Sequence, residues 1–172
     1  LKRDFIKAIE EYKRFLSQGR IGDPSLRIQA RSRIAQIYFD QGRYDEAVIE
    51  WKAALASAAG EEAVRINLRI ADALYRSGNA EEALPYVESL SEYSGDPGLV
   101  ADISLTLGRV YQETDRHRQA LRLFSRIPER MATQAAYRAV YYHRGRSHYE
   151  LKETERALSE LNSYLSFGET AE

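Results

Sequence analysis

An alanine recurs along this 172-residue chain at nearly constant spacing: Ala8, Ala47, Ala83, Ala120 and Ala157 lie 39, 36, 37 and 37 residues apart. Four residues after each stands an apolar side chain: Tyr12, Trp51, Val87, Phe124 and Leu161. Twelve residues before the last four alanines comes a small residue, Ala35, Ala71, Gly108 or Gly145. Nine before them comes a mostly large one, Tyr38, Leu74, Tyr111 or His148. Steps of three and four keep side chains on one helical face, so each period holds two helices. Polar breaks separate the two: "DQGRYD", "RSGNAE", "ETDRHR" and "LKETER". The small residues let the paired helices cross at close range, and the large ones fill the space beside the crossing. Such a pair cannot bury its apolar face alone, so successive pairs must stack.

The pattern resembles the tetratricopeptide repeat, whose signature runs Leu-Gly, Tyr, Gly-x-Tyr, Ala, aromatic and Ala in about 34 residues. Residues 28–55 carry it most fully, with Ala35, Tyr38, Gly42, Tyr44, Ala47, Trp51 and Ala54 in place. Other copies depart from it. Asp115 and Lys152 replace the turn glycine, and Ala80, His117 and Thr154 replace the turn tyrosine. Arg144 stands where an apolar residue is usual, which predicts a rotated or locally adjusted helix there.

The resemblance implies an all-α, right-handed superhelical solenoid of antiparallel helix pairs. It forms a single domain over 1–172, with a half repeat at 1–21 and repeats at 22–60, 61–95, 96–130 and 131–172. About nine helices are predicted: 2–18, 24–41, 44–59, 61–77, 80–93, 97–113, 117–127, 133–151 and 154–167. "GDPSL" at Gly22 and "GDPGL" at Gly95 recur two repeats apart. In each, glycine is predicted to close one helix, while aspartate caps the next and proline starts it. Pro85 is predicted to bend the fifth helix.

Several kinds of chemistry are excluded or unsupported. With no cysteine, disulfides, thiolate metal sites and cysteine nucleophiles are impossible. Twenty-five basic against 26 acidic residues lack the basic excess of a nucleic-acid binder. The longest apolar run, "AALASAA", is too short to span a bilayer. The chain opens at Leu1 without a methionine and is read as an excerpt. His143 and His148 are five apart and do not share a helix face as metal-binding i, i+4 pairs do. His117 and His148 take tyrosine positions of the repeat and read as structural. No phosphate loop, serine elbow or HExxH motif occurs. Neither catalysis nor a cofactor nor a metal is expected.

In tetratricopeptide proteins the first helix of each pair lines a concave face that takes a partner peptide or helix. Carried across, that face gives Arg33, Gln36 and Phe39, then Arg69, Asp72, Tyr75 and Arg76, then Arg109 and Gln112, then Tyr142, Arg146 and Tyr149. Ser32, Leu68, Asp102, Leu105, Glu113, His143 and Glu150 fall among them. An arginine in every repeat with aromatics between predicts a protein segment bearing acidic and apolar side chains. The plainer alternative is a solvated face on which Arg33 or Arg69 pairs with Asp40 or Asp72. The paired Asn and Lys of the chaperone-type carboxylate clamp are absent.

The leading reading is therefore a non-catalytic scaffold for complex assembly. A regulatory or anchoring module of a larger enzyme or cell-envelope machine is the alternative, and RNA reading by helical repeats ranks third. The resemblance alone favours the bacterial cell envelope or periplasm, with the cytoplasm left open. The last helix shows Leu158, Leu161, Tyr164 and Leu165 with no following repeat to cover them, which leaves further sequence or a homodimer as the cover.

Overall fold

The computed structural model describes residues 2–18, 23–132 and 134–169. Among these there are ten α-helices and no strand. The chain divides into two compact units, Leu1–Tyr86 and Val87–Glu172.

The first unit contains α1 (Lys2–Ser17), α2 (Pro24–Asp40), α3 (Tyr44–Leu55), α4 (Gly60–Arg76) and most of α5 (Ala80–Val87). Consecutive helices pack in order, with α2 between α1 and α3, and α3 between α2 and α4. Ala35 on α2 and Ala47 on α3 are fully buried, as is Trp51. Phe39 meets the Trp51 ring at 5.7 Å and the Tyr44 ring at 5.3 Å. The half repeat differs slightly from the register: Ile9 is buried, whereas its neighbour Ala8 is only partly so.

The second unit holds a 3-10 turn (Glu88–Leu90), α6 (Pro97–Glu113), α7 (His117–Phe124), α8 (Glu129–Ala132), α9 (Ala139–Glu150) and α10 (Thr154–Glu169). Here α7 packs between α6 and α9, and α10 packs on α9. Ala101, Ala120, Phe124, Ile127, Ala132, Val140 and Tyr141 form one core cluster. The glycines at the crossing positions are needed for space. A Cβ on Gly145 would lie 2.7 Å from Leu161 Cγ, and one on Gly108 would enter the Phe124 ring.

All four helix-pair turns share one geometry. The amides of Arg43, Asn79, Arg116 and Glu153 donate to the carbonyls of Tyr38, Leu74, Tyr111 and His148, at 2.7–2.9 Å. This closure requires a left-handed residue just before each donor. Gly42 and Gly78 supply it with φ of 73° and 84°; Asp115 and Lys152 adopt the same conformation with φ of 56° and 63°. The substituted turns therefore keep the repeat geometry at some backbone cost.

Several expectations need revision. The helix predicted over 133–151 begins at Ala139, and the short α8 precedes it after Pro128. The fifth helix ends at Val87, two residues after Pro85, and tightens into the 3-10 turn. Asp23 and Asp96 do cap their helices, accepting at 2.8 Å from the Ser25 and Leu99 amides, with Pro24 and Pro97 in the first turn. Gly95, however, follows a loop beyond Leu90 and closes no helix, and Gly22 lies outside the described residues. Nor is α9 rotated around Arg144, because Gly145 keeps its place against Leu161. Arg144 instead pairs with Glu160 on α10 at 2.5 Å and lies 5.7 Å from the Tyr141 ring.

Candidate functional site

In the first unit the candidate positions sit on α2 and α4, the first helices of consecutive repeats. Gln36 ties them together: its Nε2 donates to Asp40 Oδ1 at 2.7 Å, and its Oε1 accepts from Arg69 at 2.5 Å. The Arg69 guanidinium stands 6.0 Å from the Trp51 ring. Arg76 donates to Asp72 Oδ2 at 3.0 Å and lies 5.1 Å from the Phe39 ring. Burial works against the Arg76 charge, but Asp72 and the Tyr44 hydroxyl hold its pKa above the usual value. Tyr75 is half-buried beside these groups' helix face, and Arg33 is exposed. Arg69 and Arg76 each have an internal acceptor, on α2 and α4 respectively. Arg69 takes an amide, and Asp72 is held one turn along its own helix.

The second unit presents its positions on α6 and α9. Gln112 is only 1% exposed, so it cannot offer itself to a partner. Its Nε2 donates to the His143 carbonyl at 2.7 Å and to Ser147 Oγ at 2.8 Å; its Oε1 accepts from His143 Nδ1 at 2.8 Å. Gln112 is thus a buried bolt between α6 and α9. The same register position is Phe39, Tyr75 and Tyr149 in the other repeats, so nothing local marks it as buried.

His143 stacks on Phe124 at 5.7 Å. Burial, with Arg109 and Arg146 nearby, lowers its pKa to about 4 and leaves it neutral at pH 7. Arg146 pairs with Glu113 at 2.6 Å, again joining two first helices. Asp102 accepts from Tyr137 Oη at 2.8 Å. Burial and that carboxylate push the phenol up to about 12. Tyr142 and Tyr149 are exposed. His148 bonds Glu153 at 2.7 Å in the α9–α10 turn, the structural place its tyrosine position implied.

Among the described residues no three His, Cys, Asp or Glu side chains converge as a metal site, and no helix is long and apolar enough to cross a membrane. The first unit's face offers Arg69 and Arg76, each bonded to an internal acceptor and near an aromatic ring, and the second unit's face offers Arg146, held by Glu113. A guanidinium carries five N–H donors, so one internal bond leaves capacity for a carboxylate.

Comparison with known proteins identifies the family. One tetratricopeptide repeat model matches residues 2–56 and again 32–97, and a second matches 74–141. The chain belongs to the tetratricopeptide repeat family. No curated protein sequence matches this tetratricopeptide repeat chain. Solved structures resemble it over nearly its whole length. BtubC from P. vanneervenii is 21% identical, with a TM-score of 0.80 over 95% of this chain and 73% of that one. YrrB, described as a TPR protein with an unusual peptide-binding site, is 16% identical, with a TM-score of 0.72 over 98% of this chain and 80% of its own. The Rap conjugation gene regulator of plasmid pLS20, in complex with the Phr* peptide, is 19% identical. Its TM-score is 0.67, over 98% of this chain and 50% of the regulator. At these identities the likeness establishes the fold, an all-α solenoid of antiparallel helix pairs.

Proposed function

We propose that this protein is a non-catalytic scaffold that captures a segment of a partner protein on the first helices of its repeats. The segment is extended or helical and carries acidic and apolar side chains. The observation that carries this reading is the bracing of arginines at aromatic edges: Arg69 by Gln36 near Trp51, and Arg76 by Asp72 near Phe39. Bracing lowers the entropy lost when a guanidinium engages a carboxylate, and the rings supply contact area at little conformational cost. Family membership supports a protein-interaction role, as do the peptide-binding site of YrrB and the Phr* complex of the Rap regulator. Gln112 is withdrawn from the contact set and assigned to holding α6 and α9 in place.

The test is affinity capture by the wild-type chain and by Arg69→Glu combined with Arg109→Glu. Circular dichroism checks that both are folded. The proposal expects captured partners to be lost in the variant. Capture of the same partners at the same yield by a folded variant would reject the arginine faces as the site.

A further inference from the structure

Residues 116–130 hold five arginines against a single carboxylate, Glu129, in a chain whose net charge is -1. The repeat register shows that this charge belongs to α7 and not to second helices in general. Two residues before the recurring alanine stand Asp45 on α3, Glu81 on α5 and Glu155 on α10, but Arg118 on α7. Two residues after it stand Ile49, Pro85 and Ser159, but Arg122 on α7. Six after it stand Ala53, Ser89 and Ser163, but Arg126 just beyond α7.

Nothing inside the fold accounts for Arg118 and Arg122. Both are exposed, and among the described residues no carboxylate forms an ion pair with either. The first turns of α3, α5 and α10 carry acidic residues, which the helix dipole favours, whereas the first turn of α7 carries His117 and Arg118. Like charges four residues apart also destabilise a helix, and Arg118 and Arg122 are so spaced. Arg126 donates to the carbonyls of Ser91 and Tyr93, which fix its side chain without neutralising it. The row therefore runs against the stability of its own helix and keeps its charge.

Elsewhere in the protein an arginine of one helix meets a carboxylate of its neighbour. Arg31 bonds Glu50 between α2 and α3 at 2.8 Å, and Arg146 bonds Glu113 between α9 and α6 at 2.6 Å. Arg144 does the same with Glu160 between α9 and α10. The exposed side of α7 has the donors of such a junction, and no helix among the described residues supplies the acceptors.

We propose that the exposed side of α7 docks an acidic helix of a partner protein, with carboxylates at i and i+4 on Arg118 and Arg122 and one at i+8 beside Arg126. A helix repeats its side chains at the same step as the row, so the guanidinium–carboxylate pairs form in register. An anionic membrane is the poorer occupant, because among the described residues α7 exposes no large apolar side chain to enter a bilayer interface. A nucleic acid is poorer too, since the chain lacks the basic excess that phosphate binding uses. This surface is separate from the first-helix faces, and the proposal does not rest on them.

The probe is a labelled alanine–glutamine helix bearing glutamates at i, i+4 and i+8, and fluorescence anisotropy at low salt follows its binding to the whole chain. Saturable, salt-sensitive binding is expected, weakened by roughly tenfold or more by Arg118→Gln with Arg122→Gln. Arg14→Gln with Arg27→Gln removes the same charge from exposed positions on α1 and α2 and should leave the affinity unchanged. Circular dichroism confirms that each variant is folded. No saturable binding, binding indifferent to Arg118→Gln with Arg122→Gln, or equal weakening by both pairs of substitutions overturns the proposal. Tighter binding of phosphatidylserine vesicles or single-stranded RNA than of the peptide, lost in the α7 variant, also overturns it by making a lipid surface or a nucleic acid the occupant.

Discussion

Gly108 on α6 lies directly against the ring of Phe124 on α7, with no room for a Cβ between them. The two helices approach as closely as they do because this position has no side chain. Gly108→Ala is expected to destabilise the protein by roughly 1–3 kcal/mol through overpacking. Gly145→Ala meets the flexible Leu161 side chain and should cost less. Urea unfolding of the two variants checks the order. A neutral Gly108→Ala would mean the crossing is looser than described.

The left-handed turn residues give a prediction of opposite sign. Asp115 and Lys152 hold φ near 60°, a conformation costing an L-residue roughly 1–2 kcal/mol. Part of that is returned to the unfolded state when glycine is substituted. Asp115→Gly and Lys152→Gly should each therefore stabilise by about 0.5–1 kcal/mol. Gly42→Ala and Gly78→Ala should destabilise by a similar amount. Thermal melts of the four variants measure this, and a fall in Tm for both glycine substitutions would contradict it.

His143 should make stability fall in mild acid. Its folded pKa is about 4, against 6.5 for an ordinary histidine. Below about pH 6.5 the unfolded chain takes up a proton that the folded chain refuses. Stability is thus fully present above the unfolded pKa and declines by up to about 1.4 kcal/mol per pH unit until pH nears 4. Glu46 and Glu153, whose pKa values are lowered by bonds to Arg43 and His148, add their own loss only at lower pH, below the ordinary carboxylate value of 4.5. Comparing urea midpoints of wild type and His143→Gln at pH 7 and pH 4.8 isolates the histidine. An identical pH dependence in the two proteins would exclude it as the cause.

The Arg144–Glu160 pair joins α9 and α10 with both side chains largely out of solvent. Removing one partner leaves the other charge half-buried and uncompensated. Arg144→Ile alone should cost about 1–3 kcal/mol, whereas Arg144→Ile with Glu160→Leu should return to within about 1 kcal/mol of wild type. A double-mutant cycle reads the coupling. Additive losses would show that the two charges do not stabilise each other.

The crossing pairs were legible because each rests on one small and one large residue at helical spacing. Ala35 with Trp51, and Gly108 with Phe124, are set by side-chain volume that the sequence displays directly. The turns were legible in position, but the conformation of Asp115 and Lys152 depends on the closing bond rather than on their own preference. The start of α9 was not legible, since the alanines of "QAAYR" favour helix, yet residues 135–138 form a turn. Gln112 was misread as groove-facing because its burial comes from His143 and Ser147, over thirty residues away. Arg144 looked like a defect for the same reason, its remedy being Glu160 on the next helix.

The central functional claim is that arginines braced on the first helices select a protein segment with acidic side chains. Panning a random peptide display library on the wild-type chain, and on folded Arg69→Glu with Arg109→Glu, tests it most directly. The wild type should enrich peptides that combine carboxylates with apolar residues, and the variant should lose them. Enrichment of the same peptides by both proteins would contradict the account.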